Sequence, residues 1–358
     1  MSSIYLTTVL QKSYKMKLAI LDDYQSISPV YFNPLASRVS ISYFPETLNP
    51  RDATQHEALI ARLLPFDIIV TMRERTPLSA ETLRRLPNLK LLVTTGTRNL
   101  ALDVEFCTAR GIPVAGTAGR IPGVSSTVQH TWGLILGLAR GIARDDAALK
   151  RDGKWQGEGQ GHLGMTLAGK TLGVLGLGKL GMGVARIALA FDMRVVAWST
   201  NLTRERADET ARAAGVDPRM ITVVGSKEEF FEQTDVVSLH CVLSERSRGI
   251  VGREELKAMK KDALLVNTSR GPLVDEEALL ETLRSGGIRG AALDVFDPEP
   301  LPADSPWRTT QWGEEGRSEV LVTPHMGYVD EQIQLWYAEA AENVVRWLDG
   351  EELKVRLN

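Results

Sequence analysis

The chain has 358 residues, with 42 Lys and Arg against 45 Asp and Glu, a formal net charge of −3. At 43% apolar and 24% charged it is too hydrophobic and too near neutrality for a disordered chain, and it lacks the basic excess of a general nucleic-acid binder. The length favours two domains, each with enough apolar residues for a core. Cys107 and Cys241 are too few for a disulfide framework and point to a reducing, cytoplasmic compartment. No apolar run approaches the ~18–20 residues of a membrane span, so a soluble chain is expected, with no membrane partner and no metal. Met1–Lys15 carries no acid and reads as a short tail, or as a start placed upstream of Met16, rather than an Arg-rich presequence.

From Lys17 the pattern alternates strand and helix. Lys17–Asp22, Asp67–Thr71 and Lys90–Thr94 are short aliphatic or β-branched runs bounded by Pro, Asp and Gly, with a helix at Ser79–Arg85 behind Thr76-Pro77. Continuous apolar runs of this kind signal strands buried on both faces of a parallel sheet. Val128–Arg144 carries apolar residues at helical spacing and reads as one long helix. A second series follows: Thr171–Leu177, Val195–Ser199, Ile221–Val224, Val236–Leu239, Ala263–Asn267, Gly290–Val295 and Val320–Thr323. That makes a complete doubly wound unit. The closing helix Asp330–Asp349 then has no strand of its own to cover and is expected to cross back to the first unit. The expected fold class is α/β, with two doubly wound parallel-sheet domains, Rossmann-like or flavodoxin-like, and a cleft between them. Residues 1–117 and 327–358 form one discontinuous domain; residues 118–326 form the other.

Gly176-Leu177-Gly178-Lys179-Leu180-Gly181 follows the strand Thr171–Leu175 and opens the helix Met182–Phe191. In that setting G-x-G-x-x-G is a dinucleotide fingerprint: Gly176 permits the tight turn, Gly178 a close backbone approach to pyrophosphate, and Gly181 tight helix–strand packing. The phosphate charge then rests on a helix N-terminus. An acid about 20 residues on would bind the ribose 2′-hydroxyl and repel a 2′-phosphate. Here that stretch reads Ala197-Trp198-Ser199-Thr200-Asn201, followed by Arg204 and Arg206. Ser199, Thr200, Asn201 and Arg204 are therefore candidate cofactor contacts, and NADP is favoured over NAD. Arg204 and Arg206 read almost equally well as solvated helix charges.

Three further segments sit at strand ends: Asn267-Thr268-Ser269-Arg270-Gly271, Asp294-Val295-Phe296-Asp297-Pro298-Glu299-Pro300 and Thr323-Pro324-His325-Met326-Gly327. Parallel strands open their C-terminal ends on one edge, so an Arg, a carboxylate and a His are expected to converge there. A proline on each side of Glu299 would set its backbone direction.

With these motifs, and with DVVSLHCVLSERSRG at 235–249 and NTSRGPLVDEEAL at 267–279, the sequence resembles the D-isomer-specific 2-hydroxyacid dehydrogenases, the family of glyoxylate and hydroxypyruvate reductases and phosphoglycerate dehydrogenases. The likeness runs from about Leu18 to Val344. It implies reduction of a small 2-keto acid to the D-2-hydroxy acid with NAD(P)H, a substrate-binding role for the discontinuous domain and a dinucleotide-binding role for the other. His325 would be the general acid and Glu299 the carboxylate that orients its ring and keeps it protonated. Arg270 would bind the substrate carboxylate and polarise the carbonyl. Arg73, Thr95 and Gly96, with Arg270 and His325, would bind substrate, the Thr94-Thr95-Gly96 loop through backbone amides; Arg73 reads about equally well as a surface salt bridge. Thr127, Cys241, Val242, Ser247, Thr268, Asp294 and Gly327 would line the cofactor together with the glycine motif, Lys179 and Leu180. A homodimer is expected, with Val128–Arg144 and the arm around Trp155–Leu163 contributing.

Two positions depart from the family pattern. Ser126-Thr127-Val128-Gln129 lacks the acid of the usual S-V-A-E, and Val242 stands where Pro is usual. Trp198, Trp307, Trp312 and Trp336 read mainly as packing, with Trp336 or Tyr328 as candidates to line an enlarged pocket. Thr309–Arg317 reads as an exposed polar insertion. The competing reading is a nucleotide-sensing scaffold or co-repressor on this fold with little turnover; the sequence shows no appended disordered tail to support it. A formate-type dehydrogenase is disfavoured, since relatives of that kind carry Gln where Glu299 stands.

Overall fold

The computed structural model describes residues 15–153, 155 and 163–358. Residues 1–14 of the tail, and 154 and 156–162 in and beside the arm, lie outside the described residues. The chain divides into two compact units. The first takes the described residues up to Pro122 together with Asp330–Asn358. Its strands are β1 (Lys17–Leu21), β2 (Ser40–Phe44), β3 (Ile68–Thr71), β4 (Leu91–Thr94) and β5 (Val114–Ala115). They lie in the order β2-β1-β3-β4-β5, all parallel. The three strands expected from apolar runs are the central ones, where both faces are covered. β2 escaped because it is a half-buried edge strand with a mixed pattern, and β5 because it is two residues long.

The closing helix, Gln332–Leu348, lies in this unit and buries Ile333, Tyr337, Ala340, Ala341 and Val344, one stripe at helical spacing. Tyr337 meets Phe32 edge to face at 6.5 Å between ring centroids, and Asn343 Nδ2 donates to Gly116 O at 3.1 Å.

The second unit, Gly123–Val329, holds β6 (Thr171–Leu175), β7 (Arg194–Trp198), β8 (Ile221–Val223), β9 (Val236–Leu239), β10 (Leu264–Asn267), β11 (Gly290–Leu293) and β12 (Glu319–Val322). The order is β12-β11-β10-β9-β6-β7-β8, again all parallel. The chain winds outward from β6 to β8, then returns to β9 and winds the other way, so the switch point lies between β6 and β9. Ligands bind at that edge in open parallel sheets. Packing over β6 requires Gly173: a Cβ there would stand 2.3 Å from Thr234 Cγ2 and 2.8 Å from Phe230 Cζ.

The single helix expected over Val128–Arg144 is two, Ser126–Arg140 and Ile142–Asp152. Gly141 breaks it: its φ is 65°, and its N–H caps Gly137 and Leu138. The insertion at 309–317 also differs from an exposed loop throughout. Trp312 stacks on Trp307 at 5.9 Å and donates from Nε1 to Trp307 O, anchoring it to the core. Among the described residues no helix is long and apolar enough to cross a membrane.

Asp235, at the start of β9, ties the unit's first turns together. Its carboxylate accepts from Thr171 N at 2.8 Å and from Lys260 Nζ at 3.1 Å, with Lys170 Nζ 3.8 Å away. Burial alone would raise its pKa, but these donors outweigh burial and hold it below the ordinary carboxylate range. A group depressed in the folded state contributes stability above its unfolded pKa, near ~3.9, and loses it as pH falls through the folded value. Asp235→Asn is therefore expected to cost about 1–2 kcal/mol at neutral pH. Thermal melts of the two proteins should converge as the solution is acidified below the carboxylate range; a gap that persists there would refute the assignment.

Candidate active site

The glycine motif takes the shape its spacing implies. Gly176 leaves β6 with φ 101°, and a Cβ there would sit 2.8 Å from the His240 carbonyl carbon. A Cβ on Gly181 would meet Gly176 O at 2.3 Å. Gly178 is the N-cap of the helix Lys179–Ala190, accepts no side-chain cap, and faces open space, with nothing within 4 Å of its missing Cβ. A helix start of this kind keeps its N–H groups for an anion, so these residues fit the pyrophosphate of a dinucleotide.

At the end of β7, Ser199 is half-buried while Thr200 and Asn201 are exposed. Thr203 caps the helix Arg204–Ala213 by accepting from Arg206 N. Arg204, expected beside the cofactor, is engaged by groups of the protein itself. Its guanidinium donates to Asp208, to Ile221 O at 2.5 Å and to Pro218 O at 2.8 Å, which turns it into a brace between helix and β8. Arg206, donating to Asn201 O at 3.3 Å, stays beside the turn.

Beyond β9, His240 N donates to Leu175 O at 2.8 Å and its Nε2 pairs with Ser238 Oγ at 2.8 Å. Burial pushes its imidazole down to about 4, so the ring is neutral at physiological pH. Cys241 donates its thiol to Leu175 O, and burial pushes that thiol up to about 11, which leaves it a protonated packing group. Ser247 closes the following turn, accepting from Ser244 N and donating to Val242 O at 2.7 Å. Cys241 and Ser247 shape the loop after β9 through backbone contacts, while Val242 is 76% exposed.

The three chemical residues leave neighbouring strands: Arg270 follows β10, Glu299 follows β11 and His325 follows β12. His325 Nδ1 lies 2.6 Å from Glu299 Oε2, and Glu299 Oε1 accepts from Phe296 N at 2.9 Å. Glu299 is thus held from both sides, between two cis X–Pro bonds. A carboxylate can only accept, so Nδ1 carries a proton and donates it to Glu299. Tyr328 meets the His325 ring edge to face at 5.6 Å. His325 has φ 56°, a left-handed conformation that costs a non-glycine residue about 1–2 kcal/mol. In the Arg270 loop, Asn267 Nδ2 donates to Arg270 O at 2.9 Å, Ser269 N to Asn267 Oδ1, and Ser269 Oγ to Leu239 O at 2.8 Å. The Arg270 guanidinium donates to Ser269 O.

In the first unit, Arg73 lies two residues past β3 with φ 50°, its N–H donating to Thr95 Oγ1 and its carbonyl accepting from Asn99 Nδ2. Its guanidinium lies 5.8 Å over the Trp336 ring, in the space that a Cβ on Gly96 would fill. The two amides expected to hold a carboxylate are already engaged: Thr95 N donates to Thr71 O at 3.1 Å and Gly96 N to Thr117 Oγ1 at 2.7 Å. Of the groups named on this loop, Arg73 is the one whose chemistry suits an anion.

A family model described as the NAD-binding domain of D-isomer specific 2-hydroxyacid dehydrogenases matches residues 132–327. The chain belongs to this family. The dehydrogenase is 34% identical over 300 residues to a glyoxylate reductase of Aeropyrum pernix, covering 82% of this chain and 84% of that one. It is 34% identical over 268 residues to a hydroxypyruvate reductase of Thermotoga maritima, covering 75% and 80%. Among solved structures, a phosphoglycerate oxidoreductase from Vibrio cholerae superposes with a TM-score of 0.79 at 35% identity, covering 94% of this chain and 99% of that one.

Several residues tie the loops of this site together. Asp294 is fully buried and accepts from Thr323 Oγ1 (2.6 Å), Met326 N (2.8 Å) and Gly327 N (2.9 Å), with His130 Nε2 at 3.1 Å. Burial alone would raise its pKa; the donors, His130 first, hold it below the ordinary range. Gly327 allows the close approach, since its Cβ would lie 3.0 Å from Asp294 Oδ2 and 3.7 Å from Thr127 Cγ2. Thr268 pairs with Thr131 Oγ1 at 2.8 Å. His130 and Thr131 lie outside every motif and carry weak sequence signals. Only the three- and four-residue spacing of Thr127, His130 and Thr131 hints at a shared helix face.

Proposed function

We propose that the protein reduces a 2-keto acid to the D-2-hydroxy acid with NAD(P)H, and that NADPH is the preferred donor. The observation that carries this reading is the 2.6 Å His325–Glu299 contact on a strand end beside that of Arg270. A reduced nicotinamide held at the glycine motif would supply hydride to the carbonyl carbon. His325 gives the accompanying proton to the carbonyl oxygen; with Nδ1 engaged by Glu299, the proton leaves from Nε2. Glu299 accepts from Nδ1 and so fixes the ring with Nε2 on the side away from the carboxylate. Arg270 offers a planar fork for the substrate carboxylate, and Arg73 is the candidate for anion contact on the first unit. After the step the imidazole is neutral and regains its proton from solvent.

Preference for NADPH rests on the absence of an acid at 197–201 and on Ser199, Thr200, Asn201 and Arg206 beside the β7 turn. A homodimer is part of the same reading. Steady-state assays with both cofactors against glyoxylate, hydroxypyruvate and larger 2-keto acids test it. Turnover with a higher kcat/KM for NADPH is expected. A strong NADH preference would overturn the cofactor assignment. Tight nucleotide binding without turnover of any 2-keto acid would overturn the reaction and favour a nucleotide-sensing scaffold.

A further inference from the structure

We propose that His130 is a positioning residue that locks the His325 loop to the Glu299 segment through Asp294. The inference rests on the reaction assigned above. His130 sits on the helix Ser126–Arg140, four residues from its start, and its Nε2 lies 3.1 Å from both Asp294 Oδ1 and Thr323 Oγ1. Thr323 has one proton, and its 2.6 Å contact with Asp294 Oδ1 takes it, because a carboxylate only accepts. Thr323 Oγ1 is therefore an acceptor toward His130. The Nε2–H of His130 is then shared between the two oxygens, which sets its tautomer. Asp294 in turn takes the N–H groups of Met326 and Gly327, the two residues that follow His325.

The arrangement explains how a left-handed His325 is maintained. Thr323 lies two residues before it and Met326 one after, so one buried carboxylate grips the turn on both sides. Asp294 also begins the segment that carries Glu299. Its four donors thus align the two ends of the 2.6 Å acid–imidazole contact. His130 is the donor that comes from neither loop, and it couples them to a helix whose Thr131 pairs with Thr268 in the Arg270 loop. One helix face therefore reaches the loops of all three chemical residues. Loss of such a brace displaces a reacting group without removing it, and a displacement of the order of 1 Å costs about 10²-fold in rate.

His130→Ala and His130→Gln separate this from simple packing. Gln can present an N–H near the place of Nε2; Ala cannot. We expect His130→Ala to lower kcat by about 10–100-fold with KM for the cofactor within about twofold, and His130→Gln to recover most of the loss. Hydrogen–deuterium exchange over 323–329 should rise in His130→Ala and return toward wild type in His130→Gln. Unchanged exchange in His130→Ala would refute the brace. Raised exchange with unchanged kcat would refute its role in the reaction. Equal loss of kcat in both variants, with equal loss of melting temperature, would reduce His130 to packing. If the wild type turned over no 2-keto acid, the functional reading would fail, while the exchange measurement would still judge the brace.

Discussion

Replacing His325 by alanine is expected to lower kcat for 2-keto acid reduction by about 10²–10⁴-fold, the range for loss of a positioned proton donor. Negative charge would build on the carbonyl oxygen as hydride reaches carbon, and His325, held by Glu299 through Nδ1, is the candidate proton donor at that strand end. The imidazole lies on an exposed edge, 22% accessible, with its neighbours fixed by Asp294 rather than by the ring itself. The variant should therefore fold and bind NADPH. Cofactor affinity measured by fluorescence titration should stay within about threefold, so that the loss falls on kcat. A kcat within threefold of wild type would show that another group supplies the proton. Glu299→Gln should do less damage, because an amide oxygen still accepts from Nδ1, though without the carboxylate's charge to strengthen the hydrogen bond.

Arg270→Ala should lower kcat/KM for the acid substrate by about 10²–10³-fold, since removing one partner of a desolvated charge pair costs roughly 2–5 kcal/mol. The turn that carries Arg270 is built mainly by its neighbours, with Asn267 Nδ2 donating to Arg270 O, Ser269 N to Asn267 Oδ1 and Ser269 Oγ to Leu239 O, while the guanidinium adds one contact to Ser269 O. The defect should therefore read as lost recognition rather than a collapsed loop. Arg270→Lys should fall between the two: an ammonium keeps the charge but not the two parallel donors. Measured against a 2-keto acid and its 2-keto amide, the wild type should discriminate strongly and Arg270→Ala only weakly. Equal discrimination by both would remove Arg270 from carboxylate binding.

Local features were legible because their causes are local. The apolar runs of β1, β3, β4 and β6 reflect burial on both faces. Gly176, Gly178 and Gly181 reflect a turn that needs a positive φ at Gly176, an open approach at Gly178 and a close approach at Gly181. The residue types Arg270, Glu299 and His325 at three strand ends are read the same way, since parallel strands share one edge whatever the rest of the chain does. Gly141 was equally visible, but a single glycine within apolar periodicity weighs little against the pattern around it.

What the sequence by itself determined is thus which groups stand at which strand end, and the unit that carries them. Tertiary structure alone decided how each donor and acceptor is used. Arg204 reads almost equally well as a phosphate contact or a solvated charge, and in the fold Pro218 and Ile221 bring carbonyls to it from 14 and 17 residues away. Thr95 and Gly96 offer amides until Thr71 and Thr117 accept from them. Asp294 and His130, 164 residues apart, become partners only when the sheet and the helix close on one another. The reason is that each polar group has few bonds to make, and its partners arrive from parts of the chain that no local pattern connects.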